Sequence, residues 1–217
     1  MVRIIFLYLI CCLSFSNRSL ASSSVTIPFE LVNGLIIVHA DWDGNTGKFI
    51  LDSGSNGILI NEMARSGDQV FETANGEIST EESTIGKINI GGYIQEEVSS
   101  YNTDLSSIEE FLNQKIDGIL GCALFVPYAL TFDFRNNVLR LSSADSKMTF
   151  GDSRNSLKYK IVDDIPITTI TIDGTSYNFI LDSGASTHFI DENLLSSLSH
   201  SAERKEHLDK ITYTASS

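Results

Sequence analysis

Cysteine is scarce in this chain of 217 residues, with three in all, at positions 11, 12 and 122. That is too few for a disulfide-stapled mini-fold or for structural zinc sites of the Cys-x-x-Cys pair type. Proline is equally rare, at three residues, which excludes a Pro-rich linker protein. Cations are short as well: 15 Lys and Arg face 28 Asp and Glu, a formal charge of −13, and no Lys/Arg-rich run is present. Phosphate binding needs clustered cations, so no nucleic-acid partner is expected. What the chain does have is 42% hydrophobic residues, too many for a disordered polymer and enough to bury a core in one large domain or two small lobes.

The amino terminus reads as an address. Arg3 precedes an unbroken apolar run of ten, Ile4 to Leu13, and Ser19-Leu20-Ala21 offers small residues at the two positions a signal peptidase reads. The run is too short to span a bilayer comfortably, which takes about 20 apolar residues. Residues 1–21 are therefore expected to be a signal peptide, and the protein to be exported, periplasmic or extracellular, with no stable membrane span after cleavage. A non-cleaved anchor is the alternative. Tyr8-Leu9-Ile10 before Cys11 does not fit a lipobox. Cleavage after Ala21 would remove Arg3 and Arg18, deepening the charge by two to −15. It would also remove Cys11 and Cys12, leaving Cys122 with no partner for an internal disulfide.

The most informative feature is an internal repeat. Phe49-Ile50-Leu51-Asp52-Ser53-Gly54 recurs letter for letter as Phe179-Ile180-Leu181-Asp182-Ser183-Gly184, an offset of 130. The same offset pairs Asp43-Gly44 with Asp173-Gly174, Ile60 with Ile190 and Glu62 with Glu192. β-Rich stretches precede each Asp-Gly, at Leu35 to Ala40 and Ile165 to Ile172. Each unit reads as strand, turn, strand and a tight Asp-Ser-Gly loop, followed by a third apolar stretch at Ile58-Leu59-Ile60 or Phe189-Ile190. Such a duplication implies two lobes related by an approximate two-fold axis.

Between the copies the chain is mostly β. Val70 to Ser79 centres on Asn75-Gly76, a strong hairpin signal. Thr84 to Ile94 reads as a strand pair around Gly91-Gly92, and Leu130 to Leu141 as a closing hairpin around Asn136-Asn137. Leu105 to Leu112 has helical apolar spacing, with Asp104 as the expected N-cap. The polar stretch around residues 143–160 is the expected linker, between a first lobe at 25–142 and a second at 161–217.

A single Asp-Ser-Gly is an ordinary turn sequence. Two, each straight after Phe-Ile-Leu, are different, because each carboxylate comes directly off a run that should be buried. The two-fold then lets Asp52 and Asp182 face each other. Two carboxylates at hydrogen-bond distance do not both ionise easily, so they share one proton. The ionised group can take a proton from an attacking water while the protonated one supplies a hydrogen bond to a peptide carbonyl oxygen.

These repeated motifs resemble the active-site loops of aspartic proteases. Asp182-Ser183-Gly184-Ala185-Ser186 is similar to the retropepsin form; Asp52-Ser53-Gly54-Ser55-Asn56 is closer to the pepsin form, with Asn56 where Ser or Thr is usual. Ile119-Leu120-Gly121, within Asp117 to Gly121, resembles the apolar-apolar-Gly element that packs behind such a loop. The segment from Ile27 through the hairpin at Asn136 also resembles exported bacterial retropepsin-like proteins with both lobes on one chain. The resemblance covers roughly residues 27 to 191. It implies an all-β, pepsin/retropepsin-like acid protease fold of two related lobes. It also implies aspartic endopeptidase activity by an Asp52-Asp182 dyad on an extended peptide or protein substrate, with no cofactor and no metal. Ser53 and Ser183 would exchange hydrogen bonds across the interface, with Gly54 and Gly184 in the same loops. The hairpin at Asn75 and Gly76 would be the flap, where Phe71 is only a loose substitute for the pepsin tyrosine.

The match has a break. Ile119 lies 67 residues after Asp52, and the same spacing from Asp182 would put a second apolar-apolar-Gly element near position 249, beyond Ser217. The second lobe is therefore expected to be incomplete, as in a fragment of a longer protein, or to be finished by something else, which leaves pairing of lobes between chains open. The rival function is a non-catalytic module that binds extended segments by adding a strand to its edge. His39, His188, His200 and His207 lack ligand spacing, no Gly-x-Ser-x-Gly elbow is present, and Cys122 reads as a small buried hydrophobe. The Glu81-Glu82 and Glu96-Glu97 pairs read as solvated faces.

Overall fold

A computed structural model describes residues 24–63, 69–73, 76–143, 157–172 and 174–187. The signal-like segment, Asn75, Asp173, and everything from His188 onward, including Phe189, Ile190, Glu192, His200 and His207, lie outside the described residues.

The chain begins with three antiparallel strands, β1 (Val25–Val32), β2 (Leu35–Trp42) and β3 (Asn45–Asp52). Two-residue turns join them, at Asn33-Gly34 and Asp43-Gly44, and all four turn residues have left-handed φ of 46° to 87°. Asn, Asp and Gly tolerate that conformation, and such turns match the twist of paired strands. Then come β4 (Ile58–Asn61), the hairpin of β5 (Gln69–Thr73) with β6 (Gly76–Ile90), and β7 (Tyr93–Thr103). A short helix α1 (Ser106–Leu112) leads into β8 (Gly118–Gly121), a 3₁₀ turn over Cys122–Phe125, and the hairpin of β9 (Tyr128–Asp133) with β10 (Val138–Ser143). These ten strands form one sheet in the order β5-β6-β7-β4-β8-β3-β2-β1-β10-β9. A further pairing of Asp41 and Trp42 on β2 with Asn89 and Ile88 on β6 curls the middle six strands into a closed barrel.

A separate three-stranded sheet follows, β11 (Tyr159–Val162), β12 (Ile165–Ile172) and β13 (Thr175–Ile180). It reproduces β1-β2-β3 register for register. Val32 faces Leu35 as Val162 faces Ile165, and Ile37 faces Ile50 as Ile167 faces Ile180. The turn equivalent to Asn33-Gly34 is Asp163-Asp164, again left-handed at φ 49° and 64°. The repeat thus reaches upstream of the apolar stretch that announced it: β11 starts at Tyr159, inside the segment expected to be linker. This strand is only four residues long and all of them are exposed, Tyr159, Ile161 and Val162 included, so it lacks the alternation of a half-buried strand.

The core explains why β3 and β8 read as unbroken apolar runs instead of alternating. Phe49, Leu51 and Leu120 point into the barrel with Val38, Ile88 and Leu139. Ile50 and Ile119 point the other way, into a second cluster with Ile37, Leu112 and Ile116 beneath α1. Strands buried on both faces need apolar residues at every position. Helix α1 differs from expectation at its start. Leu105 occupies the N-cap position, and Asp104, one residue earlier, accepts the Ser106 N–H at 2.8 Å.

Gly118 stands where β8 passes closest to its neighbours: a Cβ there would meet the Leu59 carbonyl oxygen and lie 2.7 Å from the Phe49 ring. Gly118→Ala is expected to cost about 1–3 kcal/mol of unfolding free energy, the range for overpacking a filled core. Urea unfolding followed by circular dichroism would show it, and an unchanged midpoint would mean that β4 and β8 can separate freely.

Candidate active site

Both Asp-Ser-Gly loops leave the ends of equivalent strands. Phe49, Ile50 and Leu51 are at most 2% exposed, so Asp52 emerges from the deepest part of the barrel wall. The loop after it is tied to β8, which runs parallel to β3 with Leu51 beside Leu120 and Asp52 beside Gly121. Gly121 N–H donates to the Gly57 carbonyl at 3.0 Å, and Cys122 N–H to the Ser55 carbonyl at 2.8 Å. Ile119-Leu120-Gly121 therefore lies directly behind the first loop.

The two loops meet. Ser53 N–H donates to Ser183 Oγ at 3.0 Å, and Ser183 N–H donates to Ser53 Oγ at 2.8 Å. Each hydroxyl then donates across the interface to a carbonyl just before the opposite aspartate, Ser53 to Leu181 at 2.6 Å and Ser183 to Leu51 at 2.8 Å. Within each loop the aspartate Oδ1 accepts the glycine N–H, Gly54 for Asp52 and Gly184 for Asp182, both at 2.7 Å. The glycines make the approach possible. A Cβ on Gly54 would sit 2.5 Å from the Asp182 carboxyl carbon, and one on Gly184 would overlap the Asp52 carboxyl.

The result is a pair of carboxyl groups joined by a hydrogen bond. Burial pushes the Asp52 carboxyl up to about 8, with the charge of Asp182 and their shared hydrogen bond adding to the effect; the N–H groups of Gly54 and Ser55 oppose it. Cys122 sits close by and is half-buried, not the fully buried hydrophobe expected. Its thiol is pushed up to about 11, first by burial and then by the charges of Asp52, Asp164 and Asp182, so it is a poor nucleophile.

Other sequence-predicted residues fall elsewhere. Gly76 opens β6 opposite Thr73, so strands β5 and β6 pair on either side of Asn75. Exposed His39 pairs with Glu30 at 3.1 Å. Glu96 and Glu97 are exposed, as expected. No group of three or more metal-ligating side chains occurs among the described residues. A cavity of about 310 Å³, lined by Trp42, Ile60, Glu62 and Asp117 among others, contains neither loop. The Leu51 and Leu181 carbonyls, which receive the two hydroxyls, could not be singled out from sequence, since every residue carries a carbonyl.

Residues 38–124 match a sequence model of the family described as aspartyl protease. That stretch holds the first loop, the hairpin and Ile119-Leu120-Gly121. The architecture is all-β but for one short helix and one 3₁₀ turn among the described residues. Among solved structures, the chain is similar to a retropepsin-like aspartic protease from Rickettsia conorii. The identity is 16%, with 56% of this chain and 91% of that one covered, at a TM-score of 0.39. No curated protein sequence matches.

The raised Asp52 titration has a consequence for stability. An unfolded Asp titrates near 3.9. Between that pH and about 8 the folded chain holds a proton that the unfolded chain has lost. The contribution of this group is therefore fully present below the unfolded value and is lost as pH rises through the folded one. Denaturant unfolding across that window should show the unsubstituted chain losing stability more steeply than Asp52→Asn. Parallel profiles would mean that the pair does not hold its proton.

Proposed function

We propose that this protein is an endopeptidase in which Asp52 and Asp182 activate a water for attack on a peptide bond. What supports the reading is the reciprocal contact of the two Asp-Ser-Gly loops, each of whose glycines lies against the other loop's carboxyl group. The paired carboxyls hold one proton between them. The ionised oxygen takes a proton from water as the water oxygen bonds to the carbonyl carbon, while the protonated carboxyl stabilises the developing oxyanion. Collapse of the tetrahedral species breaks the C–N bond, and the proton passes to the leaving amine. Ser53, Gly54, Ser183 and Gly184 hold the carboxyls in place, and Ile119-Leu120-Gly121 backs the first loop. An extended peptide would lie across the two loops, beneath the β5–β6 hairpin, whose turn at Asn75-Gly76 would act as the flap. Export is part of the proposal and rests on the pattern of residues 1–21. No helix among the described residues is long and apolar enough to cross a membrane.

Asp52→Asn and Asp182→Asn should each lower hydrolysis of an unfolded protein substrate by about a thousandfold or more, with circular dichroism unchanged. Near-native activity in either variant would remove the dyad, and strong inhibition by a chelator would point to a metal enzyme. Activity of the unsubstituted chain should decline as pH climbs through about 8, where the shared proton is lost.

A further inference from the structure

The two halves of the site are equivalent in their loops but not in the turns beside them. On one side, Gly34 points its missing side chain at Ser186, whose main-chain and side-chain atoms lie 3.4 to 3.5 Å from where a Cβ would be. Ser186 stands two residues past Gly184, at the mouth of the second loop. The offset of 130 that relates the strands, their registers and the Ser-Ser bonds converts Gly34 to Asp164 and Ser186 to Asn56. By this correspondence Asp164 would take, beside Asn56, the place that Gly34 takes beside Ser186. One flank of the dyad presents bare backbone, and the other presents an exposed carboxylate.

The placement is supported from a third direction. Cys122, bonded through its N–H to the first loop, feels the charge of Asp164 together with those of Asp52 and Asp182. Among the described residues no Lys or Arg pairs with Asp164. The lysines and arginine in ion pairs are Lys48 with Glu30, Lys115 with Glu109 and Arg140 with Asp133. The exposed carboxylate thus has no internal counter-charge among the described residues.

We infer that Asp164 makes the cleft selective for a cationic side chain, Lys or Arg, in the peptide residue that lies beside the first loop. The inference rests on the protease reading, since that reading supplies the cleft. The charge lies on one flank only, so the preference is directional: it acts on one side of the scissile bond and leaves the Gly34 flank indifferent to charge.

The test is binding by the full chain carrying Asp52→Asn, which separates recognition from hydrolysis. Fluorescently labelled peptides of one apolar sequence, with Lys, Met or Glu scanned through each position, would be titrated by anisotropy. At one position Lys should bind about three- to fivefold tighter than Met, the range of a solvent-exposed charge pair, and Glu correspondingly weaker. Adding Asp164→Asn should abolish that difference and Asp164→Lys should invert it, with affinity for the Met peptide unchanged. Raising salt should flatten the preference as screening shortens. Equal affinities at every position, a preference that survives Asp164→Asn, or no binding of any peptide would each overturn the inference. A charge preference that depends on Asp164, in a chain whose unsubstituted form cleaves none of the peptides, would instead sink the protease reading alone.

Discussion

Four hydrogen bonds between Ser53 and Ser183 and the backbones opposite them are the constraint on which the rest of the site depends. Each serine accepts from the other's N–H and donates to a carbonyl one residue before the opposite aspartate. Neither loop has a complete set of partners alone. A hydrogen bond of this kind is worth about 0.5–1.5 kcal/mol net, so the four together favour the loops as a pair. Their spacing in turn leaves no room for a side chain on Gly54 or Gly184, because the opposite carboxyl occupies that volume. Two acidic groups are thereby pressed together, and the raised titration of Asp52 is the electrostatic consequence.

Such compression needs a rigid backing, and the barrel provides it for the first loop. β3 is clamped between the barrel interior and the cluster under α1, and β8 is bonded along its length. Asp117 strengthens that clamp at its far end: its N–H donates to the Lys48 carbonyl at 2.7 Å and its carboxylate accepts the Lys48 N–H at 2.8 Å. Displacement of β3 along its axis would break these bonds and the β3–β8 ladder together. The second loop follows from an equivalent hairpin, β12–β13, in which Phe179 and Ile180 are also buried, at 9% and 8% exposure. Near-identity of the loops thus arises from near-identity of the strands that launch them, and the differences fall in the flanking turns. There a glycine on one side is answered by Asp164 on the other.

Much of this was legible in the chain itself. The exact repeat of Phe-Ile-Leu-Asp-Ser-Gly announces two equivalent strand-loop units, because a buried apolar run ending in a carboxylate has few structural uses. Asn75-Gly76, Gly91-Gly92 and Asn136-Asn137 mark hairpins because their residues tolerate the dihedrals that tight turns require. Ile119-Leu120-Gly121 could be placed behind the first loop by resemblance to a family element. The start of β11 was hidden, since Tyr159-Lys160-Ile161-Val162 lies exposed after a polar stretch and carries no alternation. Leu105 displaced Asp104 from the N-cap position, although the aspartate still bonds the first turn.

By itself, then, the amino-acid order determined the all-β character, the duplication, the turns and the identity of the two carboxylates, because those depend on periodicity and on residues within a few positions of one another. Only the tertiary structure decided which atoms meet: that the serines bond to the Leu51 and Leu181 carbonyls, that each glycine makes room for the other loop's aspartate, and that the Cys122 N–H bonds the Ser55 carbonyl behind the first loop. These contacts join residues up to 132 positions apart. They arise from the approximate two-fold that packs one hairpin unit against the other, and no local pattern encodes the distance across that axis.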